Sequence, residues 1–273
     1  MTEKKSSDTK NLTDSELVSE VWPSAQPGED PVLYGHVDFE PKGEFPVRSY
    51  QTFRLTYTVG RFGLDDTGAI RVVFRALGDW GGLQTVDSTI ANYVTATTNT
   101  GVPLLVDYAP YGITPRPRWK SLTVRVSGGY LREGDIITIV FGDTSEGSPG
   151  MKMQTFVEQA FEFKVIADVC SVGHFVPIPN TPYISVVPGE PVKWKAALPS
   201  LRRPGERFHF GIKAEDAWGN PSHLAEGRFT FETTIQVNGL PAKFDYLQGE
   251  RSVTFDDLSI DEEGTLRITV KDE

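Results

Sequence analysis

The sequence predicts an all-β protein made of two tandem antiparallel β-sandwich domains, the second immunoglobulin-like. Apolar residues recur at every second position through most of the chain, which is the period of a strand with one buried and one wet face. β-Branched and aromatic residues fill those runs, and turn formers separate them, with 26 Gly and 19 Pro among 273 residues. The length itself, at roughly 150 residues per domain, suggests two domains.

Residues 1–30 read as a solvated, mostly disordered tail rich in Lys, Ser, Asp and Thr. Thr13-Asp-Ser-Glu16 has capping-box spacing ahead of Leu17, Val18 and Val21, but Pro23, Pro27 and Pro31 stop any longer helix. The first sandwich is expected over 31–168. In it Phe53, Leu55, Tyr57 and Val59 share one face, as do Ile70, Val72, Phe74 and Ala76, and then Leu122, Val124 and Val126. Ile136–Phe141 is apolar at nearly every position, which predicts a strand covered on both sides. Phe161, Phe163 and Val165 close the domain. Residues 169–182 lose the alternation and carry Pro177, Pro179 and Pro182, so they read as a proline-rich connector.

The second domain is expected over 183–273. Val192, Trp194, Ala196 and Leu198 should face its core, followed by Phe208, Phe210, Ile212 and Ala214, with Arg207, His209 and Lys213 outside. Phe229, Phe231, Val253, Phe255, Leu266, Ile268 and Val270 supply the remaining strands. About seven strands in roughly ninety residues is the immunoglobulin-like pattern. Glu215-Asp-Ala-Trp-Gly-Asn-Pro221 suits a tight loop with Gly219 and Asn220 at the turn.

Charge and ligand inventory narrow the chemistry. With 37 acidic against 27 basic residues the net charge is −10, and a chain that repels phosphate is a poor nucleic-acid binder. No apolar run approaches the ~20 residues of a membrane span, and Met1–Lys10 has no apolar signal core, so a cytoplasmic location is expected. The single Cys170 rules out an internal disulfide. Cys170 with His174 supplies two metal ligands, and His36 with Asp38 shares one strand face, but a competent site needs three or four. Asp65-Asp66 and the loop Asp143–Glu146 lack EF-hand spacing. No Gly-x-Ser-x-Gly elbow occurs. The sequence therefore predicts no catalytic residue, metal site or cofactor. The loop aromatics Trp80, Tyr93, Tyr111, Trp119 and Trp218 are candidates either for a ligand platform, such as a carbohydrate site, or for packing in a core or between domains.

Several stretches resemble one family. They include Tyr57–Arg75, Ser127–Asp135, Gly147–Met151, Gln154–Phe156, Gly173–Pro177, Leu201–Glu206 and Ala214–Pro221. Together they are similar to the N-terminal β-rich region of large bacterial proteins with a downstream metal-dependent hydrolase domain of the polymerase-and-histidinol-phosphatase (PHP) type. The resemblance runs over roughly residues 20–273. It implies an accessory, non-catalytic region whose partner is a catalytic domain or another protein. The family's Asp-Leu-His-type metal signature has no counterpart here, so no ligand carries over. An independent carbohydrate- or protein-binding module is the alternative.

Overall fold

The computed structural model describes residues 31–112, 114 and 117–272. The tail expected over 1–30 lies outside the described residues. Among the described residues one helical turn, α1 (Pro31–Tyr34), precedes twenty strands. The fold is all-β and mainly antiparallel among the described residues, with β14 and β2 pairing in parallel.

The chain divides into two compact units, and neither is a single continuous stretch. Among the described residues the first takes in those within 31–43, 48–154 and 160–184, and the second those within 44–47, 155–159 and 185–272.

In the first unit β1 (His36–Glu40), β4 (Phe53–Thr58), β9 (Ile136–Phe141) and β6 (Val94–Thr98) form one sheet in that order. The other sheet runs β13 (Val176–Pro177), β12 (Lys164–Asp168), β5 (Ala69–Phe74), β8 (Lys120–Val126), β7 (Leu104–Ala109). Their facing sides meet in an aromatic core. Phe53 lies 5.4 Å from Phe163, Phe141 lies 5.3 Å from Phe163, and Phe74 lies 6.0 Å from Phe141, all between ring centroids. Such separations suit tilted and edge-on rings, and each buried Phe contributes about 2–3 kcal/mol by removal from water. Phe53, Leu55, Phe74, Val124 and Phe163, expected in one core from alternation alone, are all buried there.

Three features of this unit differ from the sequence reading. β9 is not covered on both sides, because Ile137, Ile139 and Phe141 are buried while Ile136, Thr138 and Val140 are half-exposed. The strand buried at every position is instead β12. Residues 170–175 fold back on it, and the Asp168 carboxylate accepts the N–H groups of Val172 and Gly173 at 3.1 and 2.7 Å. The stretch expected as a connector, 169–182, also belongs to the first unit. Its β13 pairs with β12 through Ile166 opposite Pro177 and Ala167 opposite Val176. Proline cannot donate to a ladder, but β13 is an edge strand, where a missing donor is tolerated.

In the second unit β15 (Lys193–Ala197), β16 (Phe208–Glu215) and β19 (Val253–Leu258) form one three-stranded sheet. β18 (Lys243–Tyr246), β17 (Gly227–Thr233) and β20 (Ile268–Asp272) form the other. Phe208, Phe210, Ile212, Ile235, Val237, Leu258 and Ile260 make its core, with Phe231, Phe255 and Ile268 packed against it. Phe210 stands 5.9 Å from Phe231 across the two sheets. The alternation read for β16 holds, with Phe208, Phe210, Ile212 and Ala214 buried and His209 exposed. β14 (Tyr183–Val187) and β2 (Glu44–Pro46) pair in parallel, Ser185 opposite Glu44 and Val187 opposite Pro46.

β15 departs most from expectation. Residues 192–198 are all exposed, although their alternation writes an inward face. Only the Trp194 ring turns inward, edge-on to Phe229 at 4.8 Å and to Tyr246 at 4.9 Å, and it is still 40% exposed.

Candidate functional site

The richest cluster of side-chain chemistry in the first unit lies where β5, β7 and β8 run into loops. Even-numbered positions of β8 point to the core, so Lys120 continues the face of Leu122 and Val124, opposite Phe74 on β5. Tyr108 continues the same face on β7, opposite Leu122. Trp80 caps this end. Its ring lies 5.2 Å from Phe74, 6.2 Å from Phe161 and 6.3 Å from Tyr108.

Lys120 is held across Trp80 with Nζ 4.8 Å from the ring centroid, and it donates to the Gly78 carbonyl. Burial lowers its pKa, which Asp79 opposes. The Tyr108 hydroxyl has no hydrogen-bond partner among the described residues. Burial first, and then Tyr111, push it up to about 12. Arg48 fixes the loop by donating to the Asp79 carbonyl at 3.1 Å, with its other nitrogen 3.7 Å from the Asp79 carboxylate. Arg118 donates to Glu162, and Arg75 lies 3.9 Å from the same carboxylate. This end of the sheet therefore packs its cations against aromatic rings and acids of the protein itself.

The sequence candidates separate on this geometry. Trp80 is 1% exposed and takes the core-packing role, so its face is closed to a ligand. Tyr111 is 73% exposed on the loop beyond β7. Trp119 is half-buried beside Lys120. Tyr93 is half-buried, just before β6. Trp218 belongs to the second unit, 51% exposed at the tip of the 215–221 loop. Tyr108 and Glu162 are not singled out by the sequence. Arg118 and Lys120 belong to the basic stretch Arg116–Lys120, which by itself reads as solvated turn residues, whereas the structure buries Arg118 and half-buries Lys120.

The Trp218 loop is braced by Asp216, which is buried. Its Oδ1 accepts the N–H groups of Trp218 and Asn220, both at 2.9 Å. Its Oδ2 accepts the Gly189 N–H at 3.0 Å and the Asn220 side-chain amide at 2.8 Å. Asn220 in turn donates to the Thr155 carbonyl and accepts the Val157 N–H, so Asp216 and Asn220 together tie three separate chain segments.

The histidines and acids considered for metals are dispersed. His36 and Asp38 stand 3.9 Å apart with both side chains mostly in solvent, and Cys170, His174 and His209 are exposed. Among the described residues no group of three or more His, Cys, Asp or Glu is placed to hold a metal ion. Glu215 lies between Lys193 and Lys213, at 3.3 and 2.8 Å. A shallow recess of about 240 Å³ opens on the outer face of the β1-β4-β9-β6 sheet, lined by Glu40, Pro41, Thr52, Arg54 and Val140. Among the described residues no helix is long and apolar enough to cross a membrane.

No family model matches the chain, and no curated protein does. Among solved structures the chain is similar to red sea bream transglutaminase at 12% identity and a TM-score of 0.27, over 89% of this chain and 29% of that one. The chain thus spans less than a third of that protein's length.

Proposed function

We propose that this chain is a non-catalytic accessory module that packs against a catalytic domain, and that this domain is a PHP-type metal-dependent hydrolase of the bacterial cytoplasm. The observation that carries the reading is the exposed run Val192–Leu198. Its alternation is that of a strand with a buried face, yet Val192, Ala196 and Leu198 stand in solvent and Trp194 is only partly covered. A strand patterned for burial and left open is a surface for another protein. The family wording noted above supports the identity of the partner, and the net charge of −10 argues against nucleic acid.

The test is to mix the chain with a separately produced PHP-type hydrolase domain from a protein carrying the same β-rich wording, and to follow sedimentation velocity. A complex with Kd near or below about 10 μM is expected, weakened at least tenfold by Leu198→Asp. No complex at about 100 μM would sink the reading. A carbohydrate-binding module is the second reading, favoured by exposed Tyr111 and Trp218. Retardation of the chain on polysaccharide gels, lost in Tyr111→Ala or Trp218→Ala, would support it instead.

A further inference from the structure

The chemistry of β15 narrows what kind of segment the partner offers. β15 is the terminal strand of the order β15-β16-β19, so among the described residues one of its edges has no neighbour in the sheet. Its two faces differ sharply. Lys193 and Lys195 point one way, opposite Glu215 and Lys213 of β16. Trp194 and Ala196 point the other way, toward the margin of the core, opposite Ala214 and Ile212.

The cationic face is under-neutralised. Glu215 is shared by Lys193 and Lys213, and Lys195 has no ion pair among the described residues. Lys195 also stands directly opposite Lys213, a destabilising like-charge pair unless an anion relieves it. The result is a positive strip on a chain of net charge −10.

An added strand would place its residues opposite those of β15, alternating with the same period of two. Acidic side chains would then meet Lys193 and Lys195, and apolar ones would lie beside Trp194 and Ala196. We propose that the open edge of β15 receives an extended segment of a partner protein whose side chains alternate acidic and apolar. A second copy of β15 fits poorly, because the pairings that keep Trp194 inward and overlap the two strands most fully set lysine against lysine. Lysines on an edge strand also repel neutral and basic strands, so the same residues that bar promiscuous pairing admit an acidic partner. This inference rests on the accessory-module reading and specifies its contact.

The test uses the full chain and a fluorescein-labelled nine-residue peptide alternating Glu and Val, with a Lys/Val peptide as control, read by fluorescence anisotropy. The Glu/Val peptide should bind at least tenfold more tightly than the Lys/Val peptide. The exposed variant Lys195→Glu, which faces Lys213 and breaks no ion pair, should abolish or reverse that preference while keeping the wild-type unfolding midpoint. Equal affinity for the two peptides, no binding of Glu/Val, or self-association through β15 that the Glu/Val peptide does not compete would each overturn the inference. The two proposals fail separately. A hydrolase complex that forms without Glu/Val binding sinks only this one, and Glu/Val binding without such a complex sinks only the accessory reading.

Discussion

Asp216 concentrates four hydrogen bonds on one buried carboxylate. Burial pushes its pKa upward, but the donors from Asn220, Gly189 and Trp218 outweigh that, and the net shift is downward. A carboxyl whose folded pKa is depressed contributes stability that is present above its unfolded value, near 4, and lost as pH falls through the folded value. Asp216→Asn should therefore be destabilised at neutral pH and show a flatter loss of stability below pH ~4, measured as urea midpoints across pH. Asp216→Ala leaves four donors without their acceptor and should cost about 3 kcal/mol or more.

Tyr108 is the opposite case. Its buried hydroxyl lacks a partner among the described residues, so Tyr108→Phe should be neutral or stabilising by about 1 kcal/mol. The ultraviolet titration of the protein should also lose a tyrosine ionising at about 12. Trp80→Ala, in contrast, empties a packed site among Phe74, Phe161 and Tyr108 and should cost about 3–5 kcal/mol.

At the level of elements, the join after β9 depends on one glycine. Gly142 has φ of +66°, and a Cβ there would stand 2.0 Å from the Met151 nitrogen and 2.5 Å from the Gln51 carbonyl oxygen. Both are backbone atoms of the neighbouring β3 (Tyr50–Gln51) and β10 (Met151–Lys152) pair, so nothing flexible can yield. Gly147, at φ of +108°, has open space around its Cβ position. Gly147→Ala should cost about 1 kcal/mol, the ordinary penalty of a left-handed backbone, and Gly142→Ala several times that. Thermal unfolding of the two variants side by side separates steric from conformational cost.

At the level of the whole chain, the second unit is assembled from three stretches of sequence. Residues 44–47 supply the strand parallel to β14, and 155–159 supply the Thr155 and Val157 groups that Asn220 binds. A fragment covering only 185–273 lacks both. It should show no cooperative unfolding transition by circular dichroism, whereas the full chain should. A fragment that unfolds as sharply as the full chain would show that these inserted stretches are dispensable.

The sequence by itself determined the strand period and most of the core. Phe53, Leu55, Phe74 and Val124 in one unit and Phe208, Phe210 and Ile212 in the other were legible because alternation is a local property of consecutive side chains. Of the aromatic candidates it found the residue types but not their roles, since Trp80 and Tyr111 look alike in sequence, and one is enclosed while the other is open. Tertiary structure alone decided which patterned faces acquire a cover. β9 was left half-open, β12 was buried at every position, and β15 was left exposed. Tertiary structure also decided that residues 44–47 and 155–159 join the later part of the chain. The physical reason is the same in each case. Alternation states that a face is apolar, but the element that buries it comes from distant pairing, and no local pattern records which distant segment that is.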